Sequence, residues 1–142
     1  MQTTHQAAPL TDAALSSKAI WAGRIMSGVV ILFLTVDGAI KLVPLAVVID
    51  SMTPLGYPPS AGLARFLGIL TLACTALYAL PRTSVLSAIL LTGYMGGAMA
   101  THLRIGSPLF THVLFGLYLG LLVWGGLFLR DPLLRRLLPL RP

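Results

Sequence analysis

An acid and a base stand four residues apart inside a long apolar stretch: Asp37 and Lys41. On a helix this spacing puts both side chains on one face, with the acid N-terminal to the base, the favourable order for an ion pair. The chain has only four acidic residues, none of them glutamate. Burying one in hydrocarbon costs about 3 kcal/mol on insertion scales, so such residues mark sites by default. Asp37 is thus a candidate catalytic acid or base, and Lys41 a candidate ligand-binding group that also tunes Asp37. The competing reading is a self-neutralised pair whose lysine snorkels to the interface.

His102 is the second candidate catalytic residue, because histidine exchanges protons near neutral pH and binds metals. Tyr94, Ala98, Thr101 and His102 share a helical face by their spacing, which adds Tyr94 and Thr101 as candidate ligand-binding residues. Arg104 and His112 complete that set. Arg65 belongs to the same polar group, although arginines at helix ends also serve as interface anchors. Two histidines and one aspartate follow no metal-ligand spacing, so no metal site is assigned. Nucleophile elbow, phosphate loop, dinucleotide fingerprint and HExxH are all absent, and no cofactor motif is evident. Cys74, the single cysteine, excludes dithiol chemistry within the chain and reads as a small buried residue.

The elements that carry these residues are four apolar blocks. They predict helices over about 19–43, 61–80, 83–103 and 109–129, each close to the ~20 residues that cross a bilayer core. Hydrocarbon offers no partners to the backbone, so each block must satisfy itself as a helix. The predicted fold is all-α, an integral membrane four-helix bundle with a short interfacial helix between the first and second spans. Composition agrees: 56% of the residues are hydrophobic and 10% charged, against about 25% charged in soluble domains. The predicted organisation is a polar N-terminal tail over 1–17, a transmembrane domain over 18–131 and a basic C-terminal tail over 132–142. The first block is too long for a signal-peptide core and is expected to be retained.

A net charge of +6 raises nucleic-acid binding as a function. The basic residues flank the apolar blocks instead of forming a face, so that function is excluded and the bilayer is the expected partner. Four spans put both termini on one side, with Lys18, Arg24, Arg82, Arg130, Arg135, Arg136 and Arg141; the other side holds Lys41, Arg65 and Arg104. This asymmetry predicts a multi-pass protein of the inner membrane with both termini cytoplasmic. The polar group then gathers at the outer ends of the helices.

The connections are readable as well. Pro81 ends the second span, and Thr83 is expected to cap the third. Ser107-Pro108 reads as a cap followed by proline at the first helical position. Pro44 and Pro54 bound an apolar segment too short to span, whose reading is an interfacial or re-entrant helix. On the third span Ser84, Ala88, Thr92, Gly96 and Ala100 recur every fourth position, beside Gly93 and Gly97. Such a ridge predicts close packing with this span central in the bundle, or a homodimer through it. Trp21 and Trp124 read as interface anchors.

Several stretches together resemble the DoxX-like family of small four-helix bacterial membrane proteins: Asp37-Gly38-Ala39-Ile40-Lys41-Leu42, Leu80-Pro81-Arg82-Thr83, the run from Gly93 to Arg104, and Trp124 to Pro132. Founding relatives are associated with a thiosulfate:quinone oxidoreductase and others with membrane redox and thiol-stress complexes. The resemblance therefore implies an accessory component of a membrane redox system. Such a component would bind a quinone or another lipophilic small molecule and dock a membrane protein partner. The alternative is an integral membrane enzyme using Asp37, His102 and Lys41 for acid–base chemistry on a lipophilic metabolite, such as isomerisation, epoxide opening or cyclisation.

Overall fold

The computed structural model describes residues 16–43 and 45–137, with only the backbone of Arg136 and Leu137. The expected tail over 1–15, the opening role of Pro44, and 138–142 with Arg141 lie outside the described residues. Six α-helices are described: α1 (Ser17–Leu42), α2 (Ala46–Met52), α3 (Ala61–Ala79), α4 (Ser84–Arg104), α5 (Phe115–Arg130) and α6 (Pro132–Leu137). A π-helical turn over Leu109–Val113 precedes α5. α1, α3, α4 and the continuous segment Leu109–Arg130 are long and apolar enough to cross a membrane. Their outward side chains are bulky and apolar, with Leu32 68% and Leu121 62% exposed, which is what a lipid-facing surface requires.

α1 is the structural centre. It packs between α3 and α5, and α4 closes the ring across from it. Its buried residues are Gly23, Ser27, Val30, Leu34 and Gly38, a stripe at the helical period. The small residues near each end of that stripe allow close backbone approach. A Cβ added at Gly23 would lie 2.8 Å from the Gly126 carbonyl oxygen of α5, and one added at Gly68 of α3 would lie 2.8 Å from the Gly38 carbonyl oxygen. The expectation that the third span, α4, would be central is therefore corrected. An added Cβ at Gly93, Gly96 or Gly97 of α4 would meet nothing within 4 Å. Only the start of its ridge, Ser84 and Ala88, is buried in the bundle; these three glycines are not used for close backbone contact among the described residues.

The core joins Val30 and Leu34 of α1 to Tyr78, Leu91, Val123 and Leu127. Its polar groups are satisfied internally, as hydrocarbon demands. The Tyr78 hydroxyl donates to the Val123 carbonyl at 2.8 Å and lies 3.2 Å from Ser27 Oγ. Ser87 Oγ donates to the Cys74 carbonyl at 2.6 Å, tying α4 to α3.

Three local expectations change. Thr83 stands at the N-cap position of α4 but its side chain makes no cap bond; its Oγ1 donates to the Leu77 carbonyl at 2.7 Å and satisfies the end of α3 instead. Ser107 does not cap the fourth span, because its hydroxyl bonds His102. Pro108 is the flanking residue there, and its carbonyl receives the amides of both His112 and Val113, widening the turn. The region after 131 starts as a helix rather than a plain tail: Asp131 Oδ1 accepts the amides of Leu133 at 2.9 Å and Leu134 at 3.4 Å, and Leu134 is buried. In addition, Trp124 Nε1 donates to Thr92 Oγ1 at 2.9 Å, so this tryptophan links α5 to α4 within the span.

Candidate functional site

The polar residues converge at the end of the bundle away from the termini. Asp37 and Lys41 lie in the last two turns of α1 and form a salt bridge. Lys41 falls in the final turn, where a cation complements the partial negative charge of a helix C-terminus. α4 reaches the same level from across the ring and presents Tyr94, Ala98, Thr101 and His102, the face their spacing predicts. The π-turn brings in His112. Its ring centroid lies 5.5 Å from that of His102, edge to face.

Two cavities meet at these residues. The larger, about 410 Å³, is lined by Lys41, by Leu55 and Tyr57 of the connection after α2, by Leu67 of α3, and by Gly93, Tyr94, Gly97, Ala98, Thr101 and His102. The smaller, about 160 Å³, contains Asp37, Lys41, Tyr94, Ala98, His102 and His112 above an apolar floor that includes Phe33, Met95, Phe115 and Leu119. Lys41, Tyr94, Ala98 and His102 line both. The open space beside Gly93 and Gly97 is the wall of the larger cavity. These glycines of the α4 ridge thus make room instead of contact.

Hydrogen bonding leaves donors free at this junction. His102 Nδ1 is 3.0 Å from Ser107 Oγ, so Nε2 is the nitrogen left for a ligand. His112 Nδ1 is 2.8 Å from Thr111 Oγ1. The Tyr94 hydroxyl has no partner among the described residues. Lys41 has three ammonium protons and one carboxylate partner. An apolar cavity with a few convergent polar groups is the usual form of a small-molecule site.

The connection after α2 forms the outer wall and is fixed by α4. Arg104 Nη2 donates to the Leu55 carbonyl at 2.7 Å, and the Tyr57 hydroxyl lies 3.2 Å from Thr101 Oγ1. Gly56 is required in this turn: its φ is +79°, and an added Cβ would lie 2.7 Å from Arg104 Nη2.

Asp37, Lys41, Tyr94, Thr101, His102 and His112 are thus brought together. Arg104 sits beside them but lines neither cavity and acts on the wall. Arg65 is exposed and outside both cavities. Sequence reasoning missed Tyr57, Leu55 and the cavity-forming role of Gly93 and Gly97. The glycines were visible as a ridge; nothing in their spacing distinguishes a contact from a void. Among the described residues no group of three His, Cys, Asp or Glu side chains is placed to hold a metal ion.

Four apolar helices with lipid-facing flanks and a polar, cavity-bearing end define a small multi-pass membrane protein. The family model described as the DoxX-like family matches residues 25–126, and the chain belongs to that family. The matched stretch contains every residue that lines the two cavities. Neither curated proteins nor solved structures give a match.

Proposed function

We propose that the chain binds a lipophilic small molecule bearing a polar, carbonyl-type headgroup, a quinone being the class that fits, as an accessory component of a membrane redox system. The observation that carries this reading is the cavity of about 410 Å³ walled by Gly93 and Gly97 and edged by Lys41, Tyr94 and His102. Its volume falls in the range of small-molecule sites, about 300–1,000 Å³. Lys41 Nζ and Tyr94 OH are donors suited to carbonyl oxygens, His102 Nε2 joins them in the tautomer whose Nδ1 accepts from Ser107 Oγ, and the apolar remainder suits a ring and the start of a chain. On the charge asymmetry of the helix ends, the protein lies in the inner membrane with both termini cytoplasmic and this site near the outer leaflet. A redox partner protein or a second copy would dock on the lipid-facing flanks, α4 being the helix whose ridge invites it.

Gly97→Leu tests the binding reading. An added side chain there meets open space, so the bundle is expected to fold while the cavity fills. Purified protein in nanodiscs should bind a short-chain benzoquinone, and Gly97→Leu should lower that affinity at least tenfold with thermal stability unchanged. Equal affinity for wild type and variant would sink the reading.

A second reading rests on the smaller cavity, which gathers Asp37, Lys41, His102 and His112. This set can perform acid–base chemistry on a bound lipophile, with Asp37 and His102 exchanging protons and Lys41 holding the charge of Asp37. It differs from the first in one measurable respect: Asp37→Asn would abolish turnover of a bound metabolite and leave its binding in place.

A further inference from the structure

Between α4 and α5 runs a further cavity of about 260 Å³, with Thr92, Gly96 and Met99 on one side and Gly116, Gly120 and Trp124 on the other. These residues lie in the middle of their spans. Leu117 and Leu121 at its edge are exposed, so the groove opens sideways into hydrocarbon. Its depth comes from the glycines. An added Cβ at Gly96 would meet nothing within 4 Å, and one at Gly120 only the Met95 methyl at 3.7 Å. Two polar side chains border the groove, and they satisfy each other. Trp124 Nε1 donates to Thr92 Oγ1 at 2.9 Å, and that hydroxyl donates to the Ala88 carbonyl at 2.7 Å. No side-chain N–H or O–H is left for an occupant, so the groove suits a hydrocarbon chain and nothing more polar.

The groove is continuous with the polar end. Met95, Met99 and Gly116 also line the smaller cavity there, which shares Lys41, Tyr94, Ala98 and His102 with the larger one. The three spaces thus form one series that runs from polar to purely apolar. A single side chain partitions it: Met99 rests on Gly116, where an added Cβ would stand 2.8 Å from Met99 Cγ and 3.0 Å from its Sδ. Methionine is unbranched and flexible, so this partition can swing aside while the helices stay in place. We infer that the lipophile bound at the polar end carries an apolar chain, which leaves through the smaller cavity, passes Met99 and lies in the α4–α5 groove. From Met99 to Thr92 the groove follows α4 for about 10 Å, the reach of about eight carbons. There the Thr92–Trp124 bond ties the two helices together, and a longer chain continues into the bilayer. The inference rests on the lipophile reading; it adds a long-chain ligand that enters sideways from the membrane. A chain of a bulk bilayer lipid is the competing occupant, and the shared walls favour the ligand.

The test uses the purified full chain in nanodiscs and three molecules: the short-chain benzoquinone, a benzoquinone whose chain reaches Thr92 and ends in a photoreactive diazirine, and the same diazirine-tipped chain without the ring. Cross-linked residues are mapped by peptide mass spectrometry. The ring-bearing probe should label Thr92, Leu117 and Leu121 in excess over the ringless one, and the short-chain benzoquinone should compete that excess away. Gly96→Leu fills the groove and should cut the excess about tenfold, the scale of overpacking one side chain. It should leave binding of the short-chain benzoquinone unchanged, because Gly96 lines neither cavity of the polar end. Gly120→Leu serves the same purpose if Gly96→Leu does not fold. Equal labelling by the two probes, the mark of bulk lipid, would overturn the inference. Label concentrated on Leu67 of α3 would overturn it too, because the chain would then leave the larger cavity on its other side. Either result leaves the lipophile reading standing, whereas failure of the short-chain benzoquinone to bind would remove both.

Discussion

Gly68→Ala is the sharpest probe of the way α1 is held, because it adds one methyl where two backbones cross. The new Cβ would stand 2.8 Å from the Gly38 carbonyl oxygen and 2.9 Å from Lys41 Cβ. The first neighbour is backbone and has no rotamer to change, so the helices must part. Gly28, also mid-helix on α1, faces open space. Both substitutions gain the same helix propensity, about 1 kcal/mol in a helix interior. Their difference therefore isolates the steric cost, which overpacking measurements put at about 1–3 kcal/mol. Gly28→Ala should be neutral or stabilising by up to about 1 kcal/mol, and Gly68→Ala should be less stable than it by about 1–3 kcal/mol. Reversible unfolding by SDS in mixed micelles reads this difference directly. Because Lys41 Cβ is the second crowded atom, affinity for the lipophile should fall along with stability. If the two variants unfold within about 0.5 kcal/mol of each other, then α1 and α3 do not cross at these glycines and the central role of α1 fails.

Other expectations concern the polar end. Asp37→Asn should destabilise the detergent-solubilised protein by about 1–2 kcal/mol, a modest value because the two side chains remain 23% and 32% exposed; Asp37→Asn/Lys41→Met should recover at least half of it in thermal unfolding. Arg104→Ala frees the Leu55 carbonyl, and hydrogen exchange at Gly56 and Tyr57 should accelerate at least tenfold while the amides of α3 and α4 keep their protection. Single-cysteine labelling in intact cells tests the orientation: Ser107→Cys should react with an impermeant reagent from outside and Arg82→Cys should not, against a quiet background because Cys74 is buried.

Much of the fold is legible in composition alone, since only helices of about twenty apolar residues solve the backbone problem in a bilayer. The depth of each polar residue follows from its distance to a helix end, and Asp37, Lys41, His102 and His112, at one depth by that count, line one cavity. Azimuth is another matter. Arg65 shares their depth, yet its side of α3 faces outward; a span hydrophobic on every side carries little signal about which face is inside. The α4 ridge misleads for a related reason. Small residues permit either contact or space, and the contacts went to Gly23, Gly38, Gly68 and Gly126. Thr83 and Ser107 show the limit for hydroxyls: a serine or threonine between two helices can serve either one, and the loop geometry that decides is not written in their spacing.

The wide turn at Leu109–Val113 carries a geometric consequence. A π-turn amounts to one surplus residue accommodated within a helix, and each residue rotates an α-helix by about 100°. Removing one position from this stretch would restore an unbroken helix from Pro108 into the core, and would swing His112 about a quarter turn away from His102. The direction of that imidazole is therefore set by a phase slip, independent of the register that seats Leu119, Val123 and Leu127 in the core. A one-residue deletion in this turn would thus re-aim the second imidazole while leaving the register of the core residues beneath it unchanged.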